Sequence, residues 1–138
     1  FTDNIRVLPD TIVGIKMFAI AKNAVINIRS APSHSAELGT QGLIGMSLKI
    51  LDKEGDFYRI QTPDSYISWV DKGGIHKMDK SKFDTWNASK KVIFTKNFGY
   101  VYATKYSNST IISDITLGGL LKYVSEDGLF YEVKYPDN

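Results

Sequence analysis

The chain has 138 residues, a formal net charge of +2, 43% hydrophobic and 12% aromatic residues, and no cysteine. That length suits one ordinary domain or two small ones, and the apolar content can build a core, which excludes a disordered chain. The slight charge offers no concentrated basic face, so nucleic acid is excluded as a partner, and the lack of cysteine removes disulfides, thiolate metal sites and a cysteine nucleophile together. No apolar run approaches the roughly 20 residues of a membrane span. Phe1 is expected to mark a processed start.

In chain order, residues 1–15 ("FTDNIRVLPDTIVGI") hold Pro9 and Gly14 and show little periodicity. They are expected to form an extended arm across the unit that follows. "KMFAIAKNAVINIRS" alternates apolar and polar residues, as strands do, with Val25, Ile26 and Ile28 near a strand core. "APSHSAELGTQGLIG" is a long polar loop punctuated by Pro32, Gly39, Gly42 and Gly45. "SLKILDKEGDFYRIQTPDSYISWV" then reads strand, turn, strand, turn, strand, with turns at Gly55 and Pro63. Its apolar positions are Leu48, Ile50, Phe57, Tyr58, Ile60, Ile67 and Val70. Next, "MDKSKFDTWNASKK" predicts a short helical bridge over residues 79–89. Ser81 and Asp84 stand at capping spacing, and Phe83 and Trp86 share one face, packed into a junction.

The remainder repeats the earlier pattern. Gly55, Phe57, Tyr58 and Pro63 recur as Gly128, Phe130, Tyr131 and Pro136, at a constant separation of 73 positions. Leu38, Ile44, Gly45 and Leu48 keep the same separation from Ile111, Leu117, Gly118 and Leu121. The fold class is therefore all-β: two small barrels, at residues 16–78 and 90–138, joined by the helical bridge. The second lacks a counterpart of its final strand "YISWV". Such a barrel exposes unpaired backbone groups along an edge, so an intermolecular β-contact or weak order is expected from Tyr131 to Asn138.

Several of these residues carry a resemblance. Asn27-Ile28-Arg29-Ser30 with Pro32, then Gly45, the Gly55 turn, Phe57-Tyr58-Arg59-Ile60 and Tyr66-Ile67-Ser68-Trp69-Val70 resemble a bacterial SH3 (SH3b) domain. Ser68 stands where that motif usually has glycine. The second copy, with "GYVYA", "LGGLLKYV" and "GLFYEVKYPDN", is divergent and lacks the Asn-x-Arg signature. The "HSAELGTQ" loop, the "FDTWN" bridge and the tyrosine-rich second copy together resemble the N-terminal part of NlpC-type cell-wall cysteine peptidases of Bacteroides-like bacteria. The resemblance implies two SH3b domains ahead of a papain-like domain that cleaves murein stem peptides after γ-D-glutamate. It also implies a cell-envelope location, periplasmic or extracellular.

On that resemblance this chain is not itself an enzyme, and its partners are the murein stem peptide and a catalytic domain that it does not contain. No cofactor and no metal are expected. Ser33 and Ser35 flank His34, but a triad needs a third, orienting group. The resemblance assigns Glu37 and Tyr66 to the pocket for the free amino end of the stem peptide's L-alanine. An ammonium favours a carboxylate in a partly dry cleft, and a tyrosine adds a hydroxyl and a wall. The plainer readings are a solvated loop carboxylate and a half-buried strand residue. Trp69 is either packed inside or a stacking surface at the rim, where His34 and Ser35 would also stand. Arg29 is expected to brace the loop through its guanidinium. Tyr100, Tyr102, Tyr106, Tyr123, Tyr131 and Tyr135 serve packing or form a docking face for the catalytic domain. The alternatives in function are an autonomous cell-wall-binding module and, more remotely, a protein-interaction module of the proline-rich-groove type.

Overall fold

The computed structural model describes residues 5–137 and is built mostly of antiparallel strands with one short α-helix. The first seven strands are β1 (Phe18–Ala21), β2 (Val25–Arg29), β3 (Leu38–Leu43), β4 (Ser47–Glu54), β5 (Phe57–Gln61), β6 (Ile67–Asp71) and β7 (Ile75–Met78). They form one sheet in the order β3-β2-β6-β5-β4-β1-β7. Alternation puts Ile26 and Ile28 on the inner side of β2, and they share one buried cluster with Leu48, Ile50, Tyr58, Ile60, Val70 and Ile75. Ile75 of β7, at one edge of the sheet, thus meets Ile26 near the other, as in a coiled SH3-like barrel. Val25 and Ile67, read as core or flanking positions, stand on the outer side and are substantially exposed, because each is out of phase with its buried neighbours.

The arm is anchored more firmly than its composition suggests. Asp10 caps a 3-10 turn at Thr11–Val13 by accepting from Ile12 N at 2.9 Å, and Val13 enters the barrel core. Arg6 donates to Asp10 (2.6 Å) and to both oxygens of Asp52 (3.0 and 3.2 Å). Asp52 is a buried carboxylate, and burial is tolerated because a guanidinium and the Lys53 N–H satisfy it. Residues 1–4 of the expected arm and Asn138 lie outside the described residues.

Helix α1 spans Lys80–Ala88. Its cap is Asp79, whose carboxylate accepts from Lys82 N at 2.9 Å, and not Ser81. Asp79 holds the extended backbone of a capping residue, whereas Ser81 already lies within the helix and Asp84 pairs back to Lys80 at 2.7 Å. Trp86 is buried with Ile20 and Met78, and Phe83 stacks on Phe18 (centroids 4.5 Å apart).

The last five strands are β8 (Lys91–Ile93), β9 (Phe98–Tyr102), β10 (Ile111–Thr116), β11 (Leu120–Asp127) and β12 (Phe130–Lys134). Each begins 73 positions after its counterpart among β1–β5, and the β9–β10, β11–β12 and β8–β11 pairings keep the registers of β2–β3, β4–β5 and β1–β4. The left-handed glycines recur too: Gly45 and Gly118 have φ of 87° and 89°, Gly55 and Gly128 57° and 60°. In the first unit β6 lies between β2 and β5. Among the described residues no strand lies between β9 and β12, so the second unit is split into a β10-β9 sheet and a β12-β11-β8 sheet. β12 is nevertheless paired along its length with β11, from Lys134 to Phe130, so this end is a formed edge strand rather than a frayed one. The units meet where Leu120 N donates to Ile44 O at 2.9 Å and Ile44 packs against Ile115 and Leu121.

His76 on β7 is expected to make stability pH-dependent. Burial pushes its pKa below the ordinary 6.5, with Lys22, Lys16 and Lys82 adding to the effect and Asp137 opposing it. The unfolded chain therefore takes up this proton first, so the His76 contribution is present above 6.5 and declines as pH falls below it. Asp10, Asp56 and Asp127 are held below their ordinary 3.8, each chiefly by a hydrogen bond, so their contributions fade only at lower pH. His76→Gln should flatten the urea midpoint between pH 6.5 and 3.8. An unchanged slope would show that His76 is solvated.

Candidate functional site

The outer face of β2, β6 and β5 is where most of the singled-out residues gather. Antiparallel register places Trp69 opposite both Arg29 and Arg59, and Phe57 opposite Asp71. Trp69 is only 5% exposed, with Arg59 lying 4.7 Å over its ring. It is thus neither a rim surface for ligand nor a member of the barrel's inner cluster: the parity of β6 turns Val70 inward and Trp69 outward, and the arginine seals it.

The polar loop 30–37 folds over this face. Ser30 N donates to Glu37 O at 2.9 Å, closing the loop, and the Arg29 guanidinium donates to Ala36 O at 2.9 Å. His34 rests edge-on against Phe57 (5.0 Å) with Nε2 3.3 Å from Asp71 Oδ2. The hydroxyls of Ser33 and Ser35 are 2.9 Å apart and do not engage His34. Beneath the loop is an open cleft of about 280 Å³, lined by Asn23, Asn27, Arg29, His34, Phe57 and Asp71. Lys72 and Asp56, 2.7 Å apart, form an exposed ion pair, and Lys72 holds the Asp56 carboxyl below its usual range.

Tyr66 is placed by its turn. Thr62 bonds both the carbonyl and the N–H of Tyr66 (2.9 and 3.2 Å), and Ser65 adopts a left-handed φ of 70°. A non-glycine residue rarely sits there, and the conformation aims the next side chain across to β3. The half-exposed Tyr66 ring lies against Gly39, where a Cβ would overlap the hydroxyl and stand 3.3 Å from Cζ. Gly39 is two residues beyond Glu37. The exposed Glu37 carboxylate makes no ion pair among the described residues.

Sequence reasoning passed over Asp71, Phe57 as a wall, and Gly39. Asp71 could have been found from its phase, two residues after Trp69 and so on the same face. Gly39 carried a signal as a glycine two residues from a proposed carboxylate. Among the described residues no group of three or more His, Asp or Glu could hold a metal, and no helix is long and apolar enough to cross a membrane.

In the second unit Phe98, Tyr100 and Tyr102 project from one side of β9, with rings edge-on at 5.0 and 6.4 Å. Tyr106 and Tyr131 are exposed, while Tyr123 lies under Lys90 (4.1 Å). Tyr135 is half-buried and shares a hydrogen bond with Ser113; burial pushes its pKa up.

Residues 23–76, which hold this face, match the family model of the bacterial SH3 domain. The fold resembles an NlpC/P60 family protein from Bacillus cereus (18% identity, TM-score 0.69, 87% of this chain and 52% of that one). It also resembles an NlpC/P60 endopeptidase from Photobacterium damselae subsp. piscicida (14% identity, TM-score 0.63, 96% of this chain and 34% of that one). The chain thus spans about half the length of the first and a third of the second. No curated protein is significantly similar to it.

Proposed function

We propose that this chain is the accessory SH3b pair of a cell-wall peptidase, with residues 16–78 as its first SH3b domain, 79–89 as the linker and 90–138 as a second domain of the same ancestry. The first domain contributes Glu37 and Tyr66 to the pocket for the free amino end of a murein stem peptide. The observation that carries this reading is the seating of Tyr66 on Gly39, two residues from an exposed carboxylate that makes no ion pair among the described residues. A carboxylate and a phenol hydroxyl on one rim suit an ammonium with a small side chain. His34 and Ser35 are the neighbouring rim groups, and Arg29 holds the loop in shape through Ala36. The chain has no cysteine, so hydrolysis would fall to a partner domain, in the periplasm or outside the cell.

Titration with L-Ala-γ-D-Glu-diaminopimelate, followed by amide NMR, should shift Glu37, Gly39 and Tyr66. Glu37→Ala should weaken binding at least about tenfold, the scale of a charged hydrogen bond. Shifts that survive Glu37→Ala unchanged, or that map elsewhere, would remove the assignment. The exposed row Phe98, Tyr100 and Tyr102 favours a second reading, an autonomous wall-binding module. In that case Tyr100→Ala with Tyr102→Ala, and not Glu37→Ala, would release the chain from intact murein.

A further inference from the structure

We propose that the cavity at the seam between the two units binds an aliphatic carboxylate, with its apolar body inside the cavity and its charge beside Lys91 and Lys122. The cavity, of about 400 Å³, lies between residues 43–47 of the first barrel, the Pro63 turn, the end of α1 and residues 118–120 of the second unit. Leu43, Met46, Pro63 and Leu120 line it, together with the buried Trp86. Walls of this kind favour an apolar body by taking it out of water. Ser47, Asn87 and Lys91 supply the polar part of the lining.

The charge of the occupant follows from the register of the sheet. Lys122 of β11 stands directly opposite Lys91 of β8, and Lys134 of β12 extends the row on its other side. Alternation puts Leu120 on the same face as Lys122, so this cationic row borders the cavity. Like charges directly opposite one another destabilise a sheet. Among the described residues none of the three lysines forms an ion pair. Burial lowers the Lys91 pKa and Lys122 lowers it further, with no carboxylate opposing them. Lys91 supplies charge rather than a hydrogen bond, because its three hydrogens go to Trp86 O, Ser89 O and Ser89 Oγ. The donor is Asn87. Its Oδ1 accepts from Ser47 Oγ at 2.5 Å, and its Nδ2 has no acceptor among the described residues. Ser47 Oγ keeps lone pairs for an N–H. The C-terminal end of a peptide brings carboxylate, N–H and aliphatic side chain together, whereas a fatty acid brings only the first and the last.

This inference does not depend on the stem-peptide reading, which rests on Glu37 and Tyr66. It is tested by titrating the 138-residue chain with N-acetyl-alanyl-alanine, its C-terminal amide and hexanoate, followed by NMR of amide and indole N–H groups. Saturable shifts are expected with the dipeptide acid at the Trp86 indole, the Asn87 side-chain amide and Leu120. The C-terminal amide should bind at least about tenfold more weakly, the scale of a charged hydrogen bond. Hexanoate binding as tightly as the dipeptide would support a fatty acid as the source of the carboxylate, and weaker binding a peptide C-terminus. Asn87→Leu, which removes the donor on the exposed side of α1, should weaken the dipeptide by a similar tenfold. Lys122→Gln should weaken it about two- to fivefold, the scale of one partly exposed charge pair. The same substitution should raise the thermal midpoint of the free chain, since it relieves the opposition to Lys91 and Lys134. No saturable shift with either carboxylate, acid and amide binding alike, or shifts that map away from the seam would each overturn the proposal. So would a Lys122→Gln chain of lower midpoint and unchanged affinity.

Discussion

Trp86→Ala should lower the thermal midpoint of the chain by roughly 10–20 °C. Trp86 is the central residue of a small cluster formed by Ile20, Met78, Phe18 and Phe83. Its indole Nε1 donates to Gly45 O at 3.4 Å, and the Lys91 ammonium lies 4.9 Å over its ring. It also lines a cavity of about 400 Å³ with Leu43, Gly45, Gly118 and Leu120, where the helix, the first barrel and the second unit converge. Truncating a buried tryptophan removes its transfer free energy and leaves a void, about 3–5 kcal/mol together. For a chain of this size each kcal/mol moves the midpoint by about 3–5 °C. Lys91 would keep its bonds to the Trp86 carbonyl and to Ser89, since backbone and serine remain, although burial already lowers its pKa. Trp86→Phe keeps part of the packing but loses the indole bond and the volume of one ring, so a drop smaller than that of the alanine variant, about 1–3 kcal/mol, is expected. Calorimetry decides it. A shift under about 5 °C for the alanine variant would mean that the helix is a passive tether.

Much of this arrangement is legible before any coordinates, and the reason is periodicity. Period-two patterning identifies Ile26, Ile28, Ile50 and Ile60 as inward, and the constant separation of glycines and aromatics anticipates strands that begin at matching positions. Legibility ends where a residue's role depends on which side of a strand it takes. Trp69 reads as core or rim from its type alone; its phase relative to Val70 and the presence of Arg59 opposite place it outside the barrel, yet covered. Long-range polar pairing is equally hidden. Nothing in the arm announces that Arg6 satisfies a buried Asp52, 46 residues away, or that Val13 enters the core. The helix cap fails for a local reason, since Asp79 and Ser81 are both competent and only backbone geometry separates them. In the candidate site, Glu37 and Tyr66 came from resemblance, whereas Gly39 is visible only once Tyr66 is seen lying on it.

Gly45→Ala is expected to be the most damaging single-methyl change in the chain, and a comparison of three glycines shows why. Gly45, Gly55 and Gly118 all have left-handed φ, at 87°, 57° and 89°. At Gly55 a Cβ meets nothing within 4 Å, so Gly55→Ala bears only the backbone penalty, about 1 kcal/mol. At Gly118 it would come 3.0 Å from Leu43 Cδ1, the end of a flexible side chain that can rotate away. At Gly45 it would overlap Leu120 O and stand 2.7 Å from Leu120 Cβ and 2.9 Å from its carbonyl carbon. Backbone cannot yield in that way without breaking the Leu120 N to Ile44 O bond that ties the units together. The expected order of destabilisation is therefore Gly55, then Gly118, then Gly45, the last at about 3 kcal/mol or more. Gly45→Ala should also divide one cooperative unfolding transition into two, because it acts on the seam, where Ile44 completes the cluster of Ile115 and Leu121, and leaves the first barrel's inner cluster intact. Urea unfolding followed by the fluorescence of Trp69 and Trp86 reads this directly, one tryptophan lying on the first barrel and the other at the seam. If Gly45→Ala and Gly55→Ala destabilise equally within a single transition, the close backbone contact between the units does not exist in solution.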